Sequence, residues 1–147
     1  MADHLHKQIR TAIVTALSGL TTTSTRVYAN RLQPLPDALQ PTLLVTLDEE
    51  TATQITLHPN PIYERELRLT VSAVAKATSG LDDTLDQISK EVEGVLAAGI
   101  TISGRLLDFT YTGMSFDDEQ SDKPVGIKRM SFTLSYTAAA NAPDVLT

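Results

Sequence analysis

The sequence predicts an α+β domain: a mixed, mostly antiparallel sheet of four to six strands with two main helices packed on it. Three observations predict it. Across residues 64–77, Leu67, Leu69, Val71, Ala73 and Ala75 fall on one face, and Glu66, Arg68, Thr70, Ser72 and Lys76 fall mostly on the other. That is the period-two pattern of a strand with one covered face. The pattern breaks at Thr78-Ser79-Gly80, and a period of 3.6 begins at Leu81. Strand-like segments also outnumber helical ones and are joined mostly by short connections, which favours antiparallel neighbours with the helices packed against them.

The first helix is predicted over residues 3–20. Leu5, Ile9, Ile13, Leu17 and Leu20 recur every three or four positions, Ala12 and Ala16 widen the stripe, Asp3 is the expected N-cap and Gly19 lies near the stop. The polar run at 21–25 leads to a short strand at 26–30. Residues 31–41 form a loop, because Pro34, Pro36 and Pro41 each hold the preceding residue extended. Residues 42–47, Thr-Leu-Leu-Val-Thr-Leu, are nearly all apolar and read as a central strand covered on both faces, ending in Asp48-Glu49-Glu50. A short strand at 54–57 is expected to precede a turn at 58–61 and then the long strand.

The second helix is predicted over 81–98, with a stripe of Leu81, Leu85, Ile88, Val92, Val95 and Leu96. Ser79 with Asp82 resembles a capping box, Asp82, Asp83 and Asp86 suit the positive end of the helix dipole, and Gly99 ends the helix. Two strands close the chain. In residues 106–116 the alternation runs through Leu107, Phe109 and Tyr111, then changes phase at Gly113 to Met114 and Phe116, the mark of a bulge. Residues 117–124 read as an acidic loop. Residues 128–136 put Met130, Phe132, Leu134 and Tyr136 on one face, so the two strands are expected to pair antiparallel. Residues 138–147 read as a flexible C-terminal tail after a single domain at 1–137.

Composition narrows the function classes. The chain has 147 residues and no cysteine, which excludes disulfides, thiolate catalysis and zinc–cysteine sites. A chain of this length buries roughly 70% of its unfolded surface and needs no staples. Its net charge is −6, and its twelve Lys and Arg are scattered without a cluster of three. Nucleic-acid affinity is largely counterion release by grouped cations, so no sequence-specific nucleic-acid binding is expected. Neither a signal-peptide pattern nor a membrane-length apolar run is seen, so no membrane partner is expected.

Little in the chain carries chemistry. His4 and His6 near Asp3 lie two apart, diverge on a helix and sit at its fraying end, so a solvated terminus outweighs a metal site. His58 lies in a turn with no Ser or Cys nucleophile nearby in sequence. No Gly-x-Ser-x-Gly elbow occurs, and the seven glycines are too dispersed to cradle a phosphate. No catalytic residue, metal or cofactor is assigned. The acidic runs lack calcium-loop spacing. They read either as solvated loops or as a docking rim: Asp48, Glu49 and Glu50, and Asp117, Asp118, Glu119 and Asp122 with Lys123. The strand at 64–77 is longer than this domain needs, and its alternating Glu64, Arg65, Glu66 and Arg68 would suit a complementary edge in an oligomer. The candidate interface set is therefore Asp48, Glu49, Glu50, Arg65, Glu66, Arg68, Asp117, Asp118, Glu119, Asp122 and Lys123.

Several phrases together carry a family resemblance. They are the opening helix at 6–17, then Arg26-Val-Tyr-Ala-Asn-Arg31, the proline loop, Leu43-Leu-Val-Thr-Leu-Asp-Glu-Glu50, Tyr63-Glu-Arg-Glu-Leu-Arg-Leu-Thr-Val71, the helix start at 80–88, and Pro124-Val-Gly-Ile-Lys-Arg-Met-Ser-Phe-Thr-Leu-Ser-Tyr136. In order, length and wording the chain resembles the tail terminator proteins of long-tailed bacteriophages and prophages, similar to minor tail protein U. The resemblance implies a six-membered ring on the last ring of the tail tube, which stops polymerisation and offers the head its attachment surface. It implies three partners: other copies of the chain, the tail tube protein and a head–neck connector protein. It implies a place in the virion at the head–tail junction, reached through assembly in the host cytoplasm, and no catalytic residues. A neck or tail-completion component, a tube subunit, a small cation-dependent hydrolase and a small-ligand binder stand as alternatives.

Overall fold

The structure, a computed structural model, describes residues 3–24, 26–29, 41–57, 59–76, 80–119 and 125–146, with 76, 118, 119 and 125 through their backbone only. The first apolar stripe forms helix α1 (Leu5–Leu17), which buries Leu5, Ile9, Ile13 and Leu17, one residue per turn. Its N-cap is His4 rather than Asp3: His4 Nδ1 accepts from the His6 backbone N–H at 3.0 Å. Two-residue strand β1 (Val27–Tyr28) runs parallel to the start of β2 (Thr42–Gln54). Arg26 holds that junction, donating Nε to Pro41 O at 2.7 Å while its own carbonyl accepts from Leu43 N at 2.9 Å.

β2 differs from expectation in two ways. It does not stop at Leu47 but continues through the acidic run to Gln54, so the separate strand expected at 54–57 is the end of β2 and its turn. Asp48 is an extra residue in the ladder, a bulge that lets the strand continue with its alternation shifted. Nor is it central, since the sheet order is β1-β2-β3-β7-β6. The long strand β3 (Ile62–Lys76) is the central one, antiparallel to β2 and to β7 (Val125–Ala139). β6 (Phe109–Glu119) forms the far edge against β7, with the predicted bulge between Tyr111 and Gly113. The residues expected to begin an acidic loop, Asp117, Asp118 and Glu119, are the last three of β6. One parallel pair among antiparallel ones makes the sheet mixed.

Helix α2 (Leu81–Ala97) buries Leu85, Ile88, Ser89, Val92 and Leu96. Gly80, at φ 67°, is its N-cap without a side-chain bond, and Asp82 and Asp83 face the positive dipole end. Ser79 of the expected capping box, like His58, lies outside the described residues. A small hairpin that the periodicity did not predict follows α2: β4 (Ile100–Ile102) and β5 (Arg105–Leu107), joined by Ser103 and Gly104, both at positive φ. Three residues are too few to show a period, whereas the Ser-Gly turn fits the tight hairpin geometry.

Both helices lie on one side of the sheet. Leu67, Leu69 and Val71 of β3 and Met130, Phe132 and Leu134 of β7 join α1 and α2 in one core. Among the described residues the other face carries no helix, and Thr46, Thr70, Ser131 and Thr133 lie there beside exposed Glu66 and Arg68. After β7, residues 142–146 return to α1: Pro143 O accepts from Leu5 N at 2.9 Å and Asp144 O from Gln8 Nε2 at 2.8 Å.

Gly99 is the most confined of the seven glycines. It sits at φ +75°, and a Cβ there would lie 2.6 Å from Leu107 O. The left-handed strain of a non-glycine residue is about 1–2 kcal/mol, and the clash with a backbone oxygen adds to it. Gly99→Ala is expected to cost about 2–3 kcal/mol in a urea titration; a midpoint equal to wild type would show that the β4–β5 hairpin moves aside freely.

Candidate functional site

The predicted interface residues separate onto two faces, and the Asp48 bulge separates them. Leu43, Val45 and Leu47 point to the helices, so strict alternation would send Glu49 there too. The extra residue instead places Glu49 opposite Arg68 on the helix-free face and Glu50 opposite Leu67 on the helix side.

Glu50 is consequently the shared acceptor of an internal cluster. Its Oε1 accepts from the Tyr136 hydroxyl and lies 3.0 Å from His6 Nε2, while Oε2 lies 3.5 Å from Arg65 Nη1. Arg65 and Tyr136 are direct cross-strand neighbours, and His6 arrives from α1. The Glu50 and Arg65 side chains are only 16% and 12% exposed. Among the described residues Arg65 Nε is buried with no hydrogen-bond partner, which leaves the guanidinium more dependent on Glu50 for its compensation. Burial pushes the Glu50 carboxyl up, but hydrogen bonds from Tyr136 and His6, with the charges of His6 and Arg65, outweigh it and hold the pKa below its ordinary value. The Tyr136 hydroxyl is driven the other way, by burial first and then by its bond to the Glu50 carboxylate. A carboxylate kept ionised by its donors is a weak proton acceptor, so this cluster ties α1 to the end of the sheet better than it serves as a general base.

The helix-free face holds the exposed charges. Arg68 Nη1 lies 2.7 Å from Glu49 Oε1, and Thr70 donates to Asp48. Asp48, Glu49, Glu66 and Arg68 border an open groove of about 540 Å³ floored by Ser131 and Thr133. Asp117 pairs with Arg129 near the other end of the sheet. Asp118 and Glu119 follow it at the close of β6, while Asp122 and Lys123 lie outside the described residues. So the structure gathers Asp48, Glu49, Glu66 and Arg68 around one groove, turns Glu50 and Arg65 inward and sets Asp117 apart. Among the described residues, no group of three or more His, Asp or Glu side chains is placed to hold a metal, and no helix is long and apolar enough to cross a membrane.

The Glu49–Arg68 pair is more than half exposed on both sides. Exposed pairs are worth about 0–1 kcal/mol, because solvent screens them and holding two long side chains costs entropy. Arg68→Ala is expected to shift the unfolding free energy by less than about 0.5 kcal/mol; a larger loss in chemical denaturation would mean that Arg68 supports the fold rather than its surface.

Charge alone overlooked the exposed apolar residues. Tyr111, Met114 and Phe116 of β6 are 44%, 50% and 42% exposed, and Ile55 and Leu57 stand out at the β2–β3 turn. The phase change at Gly113 is legible in sequence, but nothing there says that β6 is an edge.

A family model described as phage minor tail protein U matches residues 4–136. A search of curated proteins finds no match. Among solved structures the chain is similar to one from the "virion of native gene transfer agent (GTA) particle", with 18% identity, a TM-score of 0.48, and coverage of 90% of this chain and 91% of that one.

Proposed function

The chain belongs to the phage minor tail protein U family, structural proteins of the phage tail, and we propose on that premise that it caps the tail tube as a closed ring of six copies. The observation that carries the reading is the family match, which spans α1 through all but the last three residues of β7. One face of the ring matches the final ring of tube protein. The other does not repeat it, so polymerisation stops and a head–neck connector finds its seat. The work is steric and needs no catalytic group, in keeping with a chain whose Glu50 carboxylate is held by internal donors. The protein then resides in the virion at the head–tail junction, after assembly in the host cytoplasm.

Charge supports a ring that DNA can pass through. Six copies at −6 each carry a formal −36, and a helix-free face of Ser, Thr and acidic groups with few cations would not grip a phosphate backbone. Walls with few cations neutralise few phosphates, release few counterions and so hold DNA weakly. The candidate set Asp48, Glu49, Glu66, Arg68 and Asp117 lies on that face and is proposed to meet the lumen or an axial partner rather than to hold the fold.

Native mass across a concentration series, alone and with purified tail tubes, tests the proposal. The expected species is closed at about 95 kDa, six copies of a 15.9 kDa chain, and it grows no further. Open-ended growth would instead identify a tube subunit.

A further inference from the structure

The far end of the β2–β3 hairpin and a notch beside the end of β7 point to how copies meet, an inference that rests on the ring reading above. Residues 51–62 carry no Asp, Glu, Lys or Arg, and 51–57 are exposed throughout. An exposed strand end is commonly guarded by charge, because a bare one templates association. This one instead presents Ile55, half exposed, and Leu57, 86% exposed. Hydrogen bonds hold its shape: Ile55 N donates to Ile62 O at 2.9 Å, and Ile62 N donates to Thr56 Oγ1 at 2.7 Å. A partner therefore meets a preformed knob and need not order it.

The notch lies at the same end of the sheet. β6 begins at Phe109, opposite Leu134, and so stops short of the last five residues of β7. Beyond that point Leu106 and Leu107 of β5, Tyr136 of β7 and Leu146 wall an open cavity of about 320 Å³, which Glu64 and Arg105 also line. Leu106 is 60% exposed. Among the described residues neither Glu64 nor Arg105 forms an ion pair. Knob and notch suit each other in charge. Copies at −6 each repel, so contact is favoured where neither surface brings a net charge. The knob brings none, and the notch brings one acid and one base. Arg105 and Glu64 are also equipped to bond the carbonyl and amide groups of an uncharged turn. Tyr111, Met114 and Phe116 of β6 run straight into Asp117, Asp118 and Glu119, a less favourable seat for a second acidic chain. Level matters too. Ile62 pairs with Ala139 and Glu64 with Thr137, so knob and notch stand within a few residues of one height along the strands.

We infer that Ile55 and Leu57 of one copy seat in the notch between β5 and β7 of the next, making the subunit contact a knob in a socket. Each copy offers one of each, so the contact is heterologous. Rotation about an axis near the strand direction closes it into a ring without the rise that would make a filament.

Two measurements on the full chain test this. Leu57→Asp and Leu106→Asp each put a charge at a well-exposed position, so circular dichroism and melting temperature should match wild type while the ringed fraction falls by about tenfold or more. The chain has no cysteine, so introduced pairs report the contact directly. Leu106→Cys copies are mixed with Leu57→Cys copies, or with Ile55→Cys copies, and oxidised. At least one mixture should give a linked pair of about 32 kDa, two copies of a 15.9 kDa chain, in an amount that no single variant gives alone. Rings that form as in wild type in both aspartate variants, with no linked pair from either mixture, would overturn the contact and leave the ring reading standing. Aspartate variants that form rings as in wild type but no longer bind tail tubes would give the knob to the tube protein and overturn the contact as well. A wild-type chain that forms no closed species, alone or on tail tubes, would overturn both.

Discussion

Glu50→Ala is expected to lower the unfolding free energy by about 2–4 kcal/mol. The substitution removes one acceptor from three donors. Arg65 is left mostly buried with Nε already unpartnered, and the Tyr136 hydroxyl and His6 Nε2 lose their bonds as well. Removing one partner of a buried ion pair costs about 3–5 kcal/mol because the other charge stays desolvated; the residual exposure of this cluster sets the lower estimate. For a domain of this size that loss moves the melting temperature down by roughly 5–15 °C. Tyr136→Phe removes only one hydrogen bond and should cost about 1 kcal/mol. A Glu50→Ala variant that melts with wild type would mean that water compensates Arg65 and that the cluster adds no stability.

The same cluster sets a pH dependence with a definite sign. The folded-state pKa of Glu50 lies below its ordinary value of 4.5, so the unfolded chain takes up this proton first. The stabilisation is complete above pH 4.5 and is lost as the pH falls through the lower, folded value. Wild type should therefore lose stability more steeply below pH 4.5 than Glu50→Ala does, and denaturant midpoints measured from pH 7 downward should converge in acid.

How much of this was legible depends on whether the signal was local. The stripes of α1 and α2, the alternation of β3 and β7 and the phase change at Gly113 are repeats within one segment, and each reappears in the structure. Asp48 shows the limit. An acidic run after six apolar-rich residues looks like a strand end, yet the partner strand β3 is long enough to carry β2 onward, and the ladder absorbs Asp48 as a bulge. That non-local event turned Glu50 inward, and no window of sequence contains it. The same holds for Arg65, whose sign alternation with Glu64 and Glu66 reads as a solvated face until its register with Tyr136 is known. Asp48, Glu49, Glu66 and Arg68, singled out by their charge, are exposed around one groove. Charge was blind to the β6 edge, because an edge is defined by the strand that is missing beside it.

Gly126→Val should produce a loss of similar size through packing alone, about 2–4 kcal/mol. Gly126 is buried in β7 beneath the start of α2, and a Cβ there would lie 2.9 Å from Leu81 Cδ2 and 2.9 Å from Leu85 Cδ1. Its φ is not in the left-handed region, so the glycine serves close approach rather than backbone freedom. Leu85 is wholly buried and has nowhere to retreat, and the Lys128–Asp86 pair at 3.1 Å spans the same seam. A branched side chain must therefore lift the first turn of α2 or twist β7, and either loosens the core on both sides. Gly126→Ala, with one carbon, should cost less than half as much, because Leu81 is only partly buried and can turn away. Gly126→Val should also fail to form rings because its sheet and helix no longer hold together, with a depressed melting temperature and faster amide exchange across α2 and β7. If Gly126→Val instead melts like wild type, α2 does not depend on this close contact and its seating must rest on the buried stripe of Ile88, Val92 and Leu96 further along the helix.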